Sequence, residues 1–154
     1  AHQRRRVLHF GVTTNPTARW TAQQIIEAFP WVDPPKYLLR DRDKIYGKAF
    51  QRRVKGLGFE EVLIAPRSPW QNPYVERLIG SIRRECLDHV IVLNGRHLKR
   101  ILTSYFTYYH DWRVHRALEM DCPKPREVHS TDRGKVVEIP NVGGLHHHYV
   151  RHAA

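Results

Sequence analysis

A proline-rich loop leads into a long helix in residues 65–86, which read APRSPWQNPYVERLIGSIRREC. Asn72 is predicted to be the N-cap of this helix and Pro73 its first residue, where the missing N–H of proline costs nothing. Apolar side chains recur beyond that start at helical spacing and predict one buried stripe: Val75, Ile79, Ile82, Cys86 and Val90. Glu76, Gly80 and Arg83 fall on a different face of the same helix.

Strand patterns alternate with helix patterns upstream of this loop. In chain order we predict a strand at Val7–Val12, a helix through Trp20 to Phe29 capped by Thr17 or Asn15, a strand ending at Asp41, a helix within Ile45–Gly58 and a strand at Glu60–Pro66. The second helix is indicated by Phe50, Val54 and Leu57 at i, i+4 and i+7. Such alternation predicts an α/β fold.

The C-terminal third is predicted to hold one helix and one short strand. The helix runs from about Arg96 to Trp112, with an apolar and aromatic stripe that reads as core: Leu98, Ile101, Leu102, Tyr105, Tyr109 and Trp112. The strand is Val136–Ile139. Three adjacent histidines, His146–His148, invite a metal-site interpretation, but neighbouring residues of an extended chain point in alternating directions and make a poor tetrahedral ligand set.

The charge of the chain favours a polyanionic partner. Its 154 residues carry 26 Lys and Arg against 15 Asp and Glu, a net charge of +11, while a 41% apolar composition is enough for a core. A basic surface without a specific role is the competing interpretation. Two cysteines form no disulfide framework and no apolar run is as long as a membrane span, so we expect an intracellular, cytoplasmic, DNA-associated protein.

Two carboxylates stand out by position. Asp41 follows a predicted strand, and Glu76, 35 positions later, lies in the first turn of the predicted helix. A fold can bring both to one place, and carboxylate oxygens are the ligands that divalent cations need. The spacing also fits an ordinary strand-end Asp and a Glu stabilised by the helix dipole.

The motifs around these acids resemble the catalytic core of DDE transposases and retroviral-type integrases. In that family a strand ends in the second catalytic Asp. About 35 residues later, a loop of the type Asn-Gly/Pro-x-x-Glu-Arg/Ser begins the helix that carries the catalytic Glu. Here the corresponding residues are Asn72-Pro73-Tyr74-Val75-Glu76-Arg77. Residues 108–118, YYHDWRVHRAL, with Pro123 resemble the family's closing signature Tyr-Asn-x-x-Arg-x-His-x-Ala-Leu…Pro, as found in bacterial insertion-sequence transposases.

The resemblance implies a function and a set of site residues. Asp41 and Glu76 would be catalytic metal ligands for two Mg²⁺ or Mn²⁺ ions, which activate water or a 3′-hydroxyl for phosphodiester attack. Asp43 is a rival for Asp41, and the distance to Glu76 favours Asp41. The DNA contacts would come from the loop and the second helix face: Arg67, Trp70, Gln71, Asn72, Gly80 and Arg83. The partners would be transposon ends and target DNA, with a homo-oligomer in the functional complex.

The resemblance also implies that part of the fold is missing. It predicts a ribonuclease-H-like core at residues 1–128, apparently lacking the first two strands, and a tail at 129–154. The family's first catalytic Asp lies on the first strand, whereas this chain has no Asp before Asp33. Two functions therefore remain open: a DNA strand transferase represented by an incomplete core, and a non-catalytic nucleic-acid-binding or assembly fragment of a decayed mobile element.

Overall fold

The protein is described by a computed structural model that covers residues 1–31, 33–132 and 134–152. The chain divides into two compact units, an N-terminal unit of residues 8–80 and a C-terminal unit of residues 1–7 and 81–154. Both contain helices and strands, so the α/β class expected from the alternation is confirmed. The expected boundary between residues 128 and 129 stays a prediction.

The N-terminal unit holds two helices and two strands before the candidate catalytic helix begins. These elements are α1 (Ala18–Ala28), β1 (Tyr37–Arg40), α2 (Lys48–Gly56), β2 (Glu60–Leu63) and the first residues of α3 (Pro73–Glu85). Thr17 caps α1 as predicted, because its side-chain oxygen accepts a hydrogen bond from the backbone N–H of Trp20 at 3.2 Å. β1 and β2 pair in parallel, with Arg40 opposite Leu63.

The core of this unit lies between α1, α2 and β1. Phe50 and Val54 of α2 are fully buried beside Ala22 of α1 and Phe59, which precedes β2. The rings of Phe29 and Phe59 meet edge to face at 5.5 Å. The i, i+4 part of the predicted α2 stripe is therefore the face that packs.

Two predictions for this part of the chain are wrong. Val7–Val12 is not a strand: backbone pairing is what makes a strand, and in the described residues β1 and β2 pair with each other and not with this run. On α3, Val75 and Ile79 are 43% and 47% exposed rather than buried, and the helix ends at Glu85 before reaching Val90. Periodicity identifies an apolar face, but it does not tell whether another element covers that face.

The C-terminal unit is built on a long helix and a hairpin. α4 spans Gly95–Asp111, and an antiparallel hairpin joins β3 (Lys135–Asn141) to β4 (His146–His152). The predicted helix and strand are thus confirmed, with β4 added over the three histidines. Its buried apolar side chains include Cys86, Tyr105, Phe106, Tyr109, Cys122 and Pro123.

Aromatic stacking holds the hairpin on α4. The ring of His146 stacks on Tyr108 at 4.4 Å, and that of His148 stacks on Trp112 at 3.6 Å. His147, between them, points the other way and lies 3.5 Å from Glu138. The three histidines therefore do not converge, which agrees with the argument from strand alternation.

None of the helices in the described residues is long and apolar enough to cross a membrane.

Candidate active site at the end of the parallel sheet

Asp41 lies in a tight turn directly after β1. One of its carboxylate oxygens, Oδ1, accepts a hydrogen bond from the backbone N–H of Asp43 at 3.0 Å. Asp43 in turn caps the short helix 44–46, since its Oδ1 accepts from the N–H of Ile45 at 2.9 Å. Both acids are exposed. The two rivals thus have different local roles, with Asp43 occupied by capping and Asp41 holding the turn through one oxygen.

Arg40 fastens this turn to the sheet. Its side chain is only 8% exposed, its Nε is bonded to Glu61 Oε2 on the neighbouring strand, and its Nη1 donates to the backbone carbonyl of Asp41 at 2.9 Å. The guanidinium also lies 5.3 Å from the ring of Tyr46. Arg42 adds a second tie, donating to the carbonyl of Ile64 at 3.1 Å. The position of Asp41 is therefore determined by side chains on both sides of it.

The charges of the turn affect the pKa of Tyr46. Its half-buried hydroxyl has a pKa above the ordinary value because burial disfavours the phenolate, and the negative charges of Asp41 and Asp43 add to this. Arg40 acts in the opposite direction. The phenol thus stays neutral and lies within the field of both carboxylates.

The loop after β2 is held by one of the residues predicted to contact DNA. Gln71 Oε1 accepts a hydrogen bond from the backbone N–H of Ala65 at 2.7 Å, which closes the loop on itself. Ser68 is buried at its centre, while Arg67 and Trp70 are exposed, Trp70 to 70%. Arg67 adopts the left-handed conformation at φ 56°, which is uncommon for a residue with a Cβ. Gln71 shapes this loop, and Arg67 and Trp70 project from it.

The helix α3 begins where it was predicted to begin, but its N-terminus is not capped as predicted. The helix begins at Pro73, and the carbonyl of Asn72 accepts from the N–H of Glu76 at 3.2 Å. The side chain of Asn72 is not the expected cap, because its Oδ1 is buried and has no hydrogen-bond partner among the described residues. An unpaired buried amide oxygen costs about 1–3 kcal/mol. Glu76 itself is exposed in the first turn.

Asp41 and the loop leading to Glu76 belong to one edge of the N-terminal unit. β1 and β2 are parallel, so their carboxyl ends lie together, and the N–H of Ile64 donates to the carbonyl of Arg40 at 3.1 Å. Asp41 follows the first strand and the loop follows the second. No hydrogen bond joins Asp41 to Glu76, and the described residues contain no group of three or more His, Cys, Asp or Glu side chains arranged for a metal ion.

The remaining predicted DNA contacts lie further along α3. Gly80 is the last residue of the N-terminal unit, and Arg83 is an exposed residue of the C-terminal unit. In the described part of the chain the side chain of Arg83 is exposed and forms no ion pair. Both residues therefore stay predictions as DNA contacts.

A polar cluster in the C-terminal unit was not predicted from the sequence. Arg113, the arginine of the closing motif, binds both carboxylate oxygens of Glu85 at 2.6 Å, and the hydroxyl of Tyr105 donates to Glu85 at 2.9 Å. His115 accepts from Arg113 at 3.3 Å. The sequence signal for this cluster was the Arg-x-His pair within residues 108–118. Glu85, the partner of Arg113, lies 28 residues upstream of it, and no local sequence pattern indicates that they pair.

Comparison with protein families matches residues 57–123 to the integrase core domain. The matched segment begins at the end of α2 and includes Glu76, its preceding loop, and the cluster of Glu85, Arg113 and His115. Asp41 lies outside it. Comparison with curated proteins gives no match. Residues 57–123 are therefore similar to the integrase core domain, and this similarity supports an integrase or transposase catalytic core.

Proposed function

We propose that the chain is part of a DNA transposase or integrase that breaks and joins phosphodiester bonds with divalent metal ions. Integrase-type domains act on DNA and generally use divalent metals. The observation that carries the proposal is the match over residues 57–123, which contains Glu76 in the first turn of α3. The net charge of +11 supports a polyanionic substrate.

The donor chemistry of Asp41 and Glu76 fits such an ion. Asp41 uses Oδ1 to hold its turn, and in the described residues no hydrogen bond engages its Oδ2. The side chain of Glu76 is exposed and likewise makes no hydrogen bond among the described residues. Carboxylate oxygens open to solvent are the ligands that Mg²⁺ and Mn²⁺ prefer. When bound, the ions would activate water or a 3′-hydroxyl and neutralise the leaving oxygen.

The remaining residues of the proposed site hold the carboxylates and the DNA. Arg40 positions Asp41 through its bond to the Asp41 carbonyl, and Gln71 closes the loop that leads to Glu76. Arg67 and Trp70, both exposed on that loop, would contact the scissile strand by a charge on phosphate and a ring on a base. Asn72, Gly80 and Arg83 complete the proposed DNA contacts.

Two further parts of the proposal come from the resemblance. A DDE site needs a third carboxylate, which the resemblance places on another strand of a ribonuclease-H-like sheet. Joining two DNA ends calls for more than one copy of the protein. Both stay predictions.

A nicking assay tests the function. The chain is incubated with supercoiled plasmid and Mn²⁺, beside Asp41→Asn, Glu76→Gln and, as a matched control, Asp43→Asn. If the chain is catalytic, metal-dependent nicking should occur, the first two substitutions should abolish it, and the control should retain it. Nicking that survives both substitutions would contradict the assigned residues. The absence of any nicking would contradict catalysis by this chain and favour the non-catalytic DNA-binding fragment.

A further inference from the structure

A groove of about 540 Å³ runs between α1 and α2 in the N-terminal unit. Its floor is made by small and aliphatic residues from both helices: Ala22, Ile26, Ala49, Gly56 and Leu57. Small side chains let a ligand approach the helix backbones closely. No residue of the proposed metal site lines this groove.

Three arginines form the polar part of the groove. Arg19 comes from α1, and Arg52 and Arg53 come from α2; all three are exposed. Within the part of the chain that the structure describes, their guanidinium groups form no ion pair and no hydrogen bond. Among the described residues that line the groove there is no carboxylate. The acid on α1, Glu27, accepts from the amides of Gln23 and Gln24 and lies 3.6 Å from His9.

We propose that this groove, lined by Arg19, Arg52 and Arg53, binds the phosphate backbone of duplex DNA. Three like charges on one surface repel one another, and an anion between them removes that cost while gaining charge-assisted hydrogen bonds. Guanidinium groups suit phosphate because their fixed donors match its oxygens. The choice of DNA as the polyanion rests on the proposed function. The groove is a binding surface outside the candidate active site.

The groove begins at the end of the unit that carries the Asp41 turn. α1 and α2 start side by side, since the hydroxyl of Thr21 donates to the carbonyl of Ile45 at 3.0 Å and a Cβ built on Gly47 would lie 3.2 Å from that of Ala18. Ile45 is in the short helix capped by Asp43. A backbone that enters the groove at Arg19 therefore comes from the side of the candidate active site.

The dimensions of the groove suit a short length of one DNA strand. From Arg19 to Ile26 an α-helix advances about 10 Å. Phosphates of one strand recur about every 3.4 Å along the duplex axis, so this length corresponds to roughly three nucleotides. Phosphate contacts position a protein on DNA without reading its sequence. We therefore expect the groove to add affinity uniformly across DNA sequences.

The test is the salt dependence of DNA binding, measured by fluorescence anisotropy with a labelled mixed-sequence duplex in EDTA. EDTA removes divalent ions, so the measurement does not depend on the proposed metal site. The variant is Arg52→Gln with Arg53→Gln. The matched control is Lys48→Gln with Lys55→Gln, which removes the same charge from exposed positions of α2 that do not line the groove. Far-ultraviolet circular dichroism verifies that both variants keep their helices.

The expected result is specific to the arginines. Because each phosphate contact contributes about 0.9 to the slope of log K against log salt, the arginine variant should lower the slope by about 2 and the lysine control by much less. Equal effects of the two variants would overturn the groove while leaving DNA binding, and with it the proposed function, intact. Failure of the unsubstituted chain to bind duplex DNA would overturn both.

Discussion

Glu85 and Arg113 form a doubly hydrogen-bonded ion pair that joins the end of α3 to the residues after α4. Arg113 Nε and Nη2 donate to the two carboxylate oxygens, each at 2.6 Å, and the backbone carbonyl of Glu85 accepts from His146 Nε2 on β4 at 2.6 Å. Burial raises the pKa of Glu85, but the hydrogen bonds from Arg113 and Tyr105 outweigh it and the pKa lies below its ordinary value. One residue thus links three elements of the C-terminal unit.

Removing Arg113 should therefore destabilise the C-terminal unit. Arg113→Ala leaves a half-buried carboxylate without its partner, and we expect the free energy of unfolding to fall by roughly 2–3 kcal/mol. The control is Lys124→Ala, which breaks the more exposed pair with Asp111 and should cost less than about 1 kcal/mol. Urea unfolding measures both. Equal losses would show that the Glu85 pair is no more than a surface contact.

The pair of Arg40 and Glu61 should behave as a coupled unit. Arg40→Met leaves Glu61 half-buried and unpaired beside the sheet, at a cost of roughly 2–4 kcal/mol. Adding Glu61→Leu removes the orphaned charge, so the double variant should recover at least about 1 kcal/mol of that loss. Urea unfolding of the two single variants and the double variant gives the coupling. Simple additivity of the two substitutions would refute the pairing.

The stability of the protein should depend on His115 at mildly acidic pH. Burial and the positive charges of Arg113 and Arg5 together lower the pKa of His115 to about 4, while the charge of Glu85 opposes them. The folded state therefore binds fewer protons than the unfolded state between about pH 6.5 and pH 4, so stability is complete above this range and falls as the pH drops through it. His115→Gln should flatten that part of the stability profile. An unchanged profile would mean that another group titrates there.

Two substitutions at Arg67 can distinguish the effect of backbone strain from the effect of a DNA contact. Glycine adopts a φ of 56° without a Cβ penalty, so Arg67→Gly should be more stable than Arg67→Ala by about 1 kcal/mol. Both substitutions remove the guanidinium and should weaken DNA binding equally. Thermal melts and anisotropy measure the two effects on the same pair of variants. A larger loss of binding in one of them would mean that loop geometry, rather than the charge, carries the contact.

Local signals predicted the elements around the candidate active site. The Thr17 cap, the strand ending before Asp41, the α2 stripe and the Pro73 start of α3 each depend on a few adjacent residues, and all are present. The interactions that hold the site were not predictable in this way. Glu61 and Gln71 reach partners 21 and 6 residues away, so their roles depend on strand pairing and loop closure.

The wrong predictions share a physical cause. Val7–Val12 has the composition of a strand but no pairing partner among the described residues, and Val75 and Ile79 have helical spacing but no cover. The predicted cap at Asn72 fails because its Oδ1 is buried and accepts no hydrogen bond among the described residues, although the helix still begins where proline allows it to. Composition and periodicity indicate which conformation a segment can adopt. Pairing and packing with neighbouring elements determine which conformation it adopts.

The most direct test of the central claim is a double-mutant cycle of thermal melts with and without Mn²⁺. If Asp41 and Glu76 bind one ion, Mn²⁺ at a hundredfold excess over its Kd should stabilise the unsubstituted chain by about 2.7 kcal/mol, and Asp43→Asn should keep this gain. Asp41→Asn and Glu76→Gln should each abolish it, and the double variant should lose nothing further. A stabilisation that survives either single substitution would contradict a shared metal site.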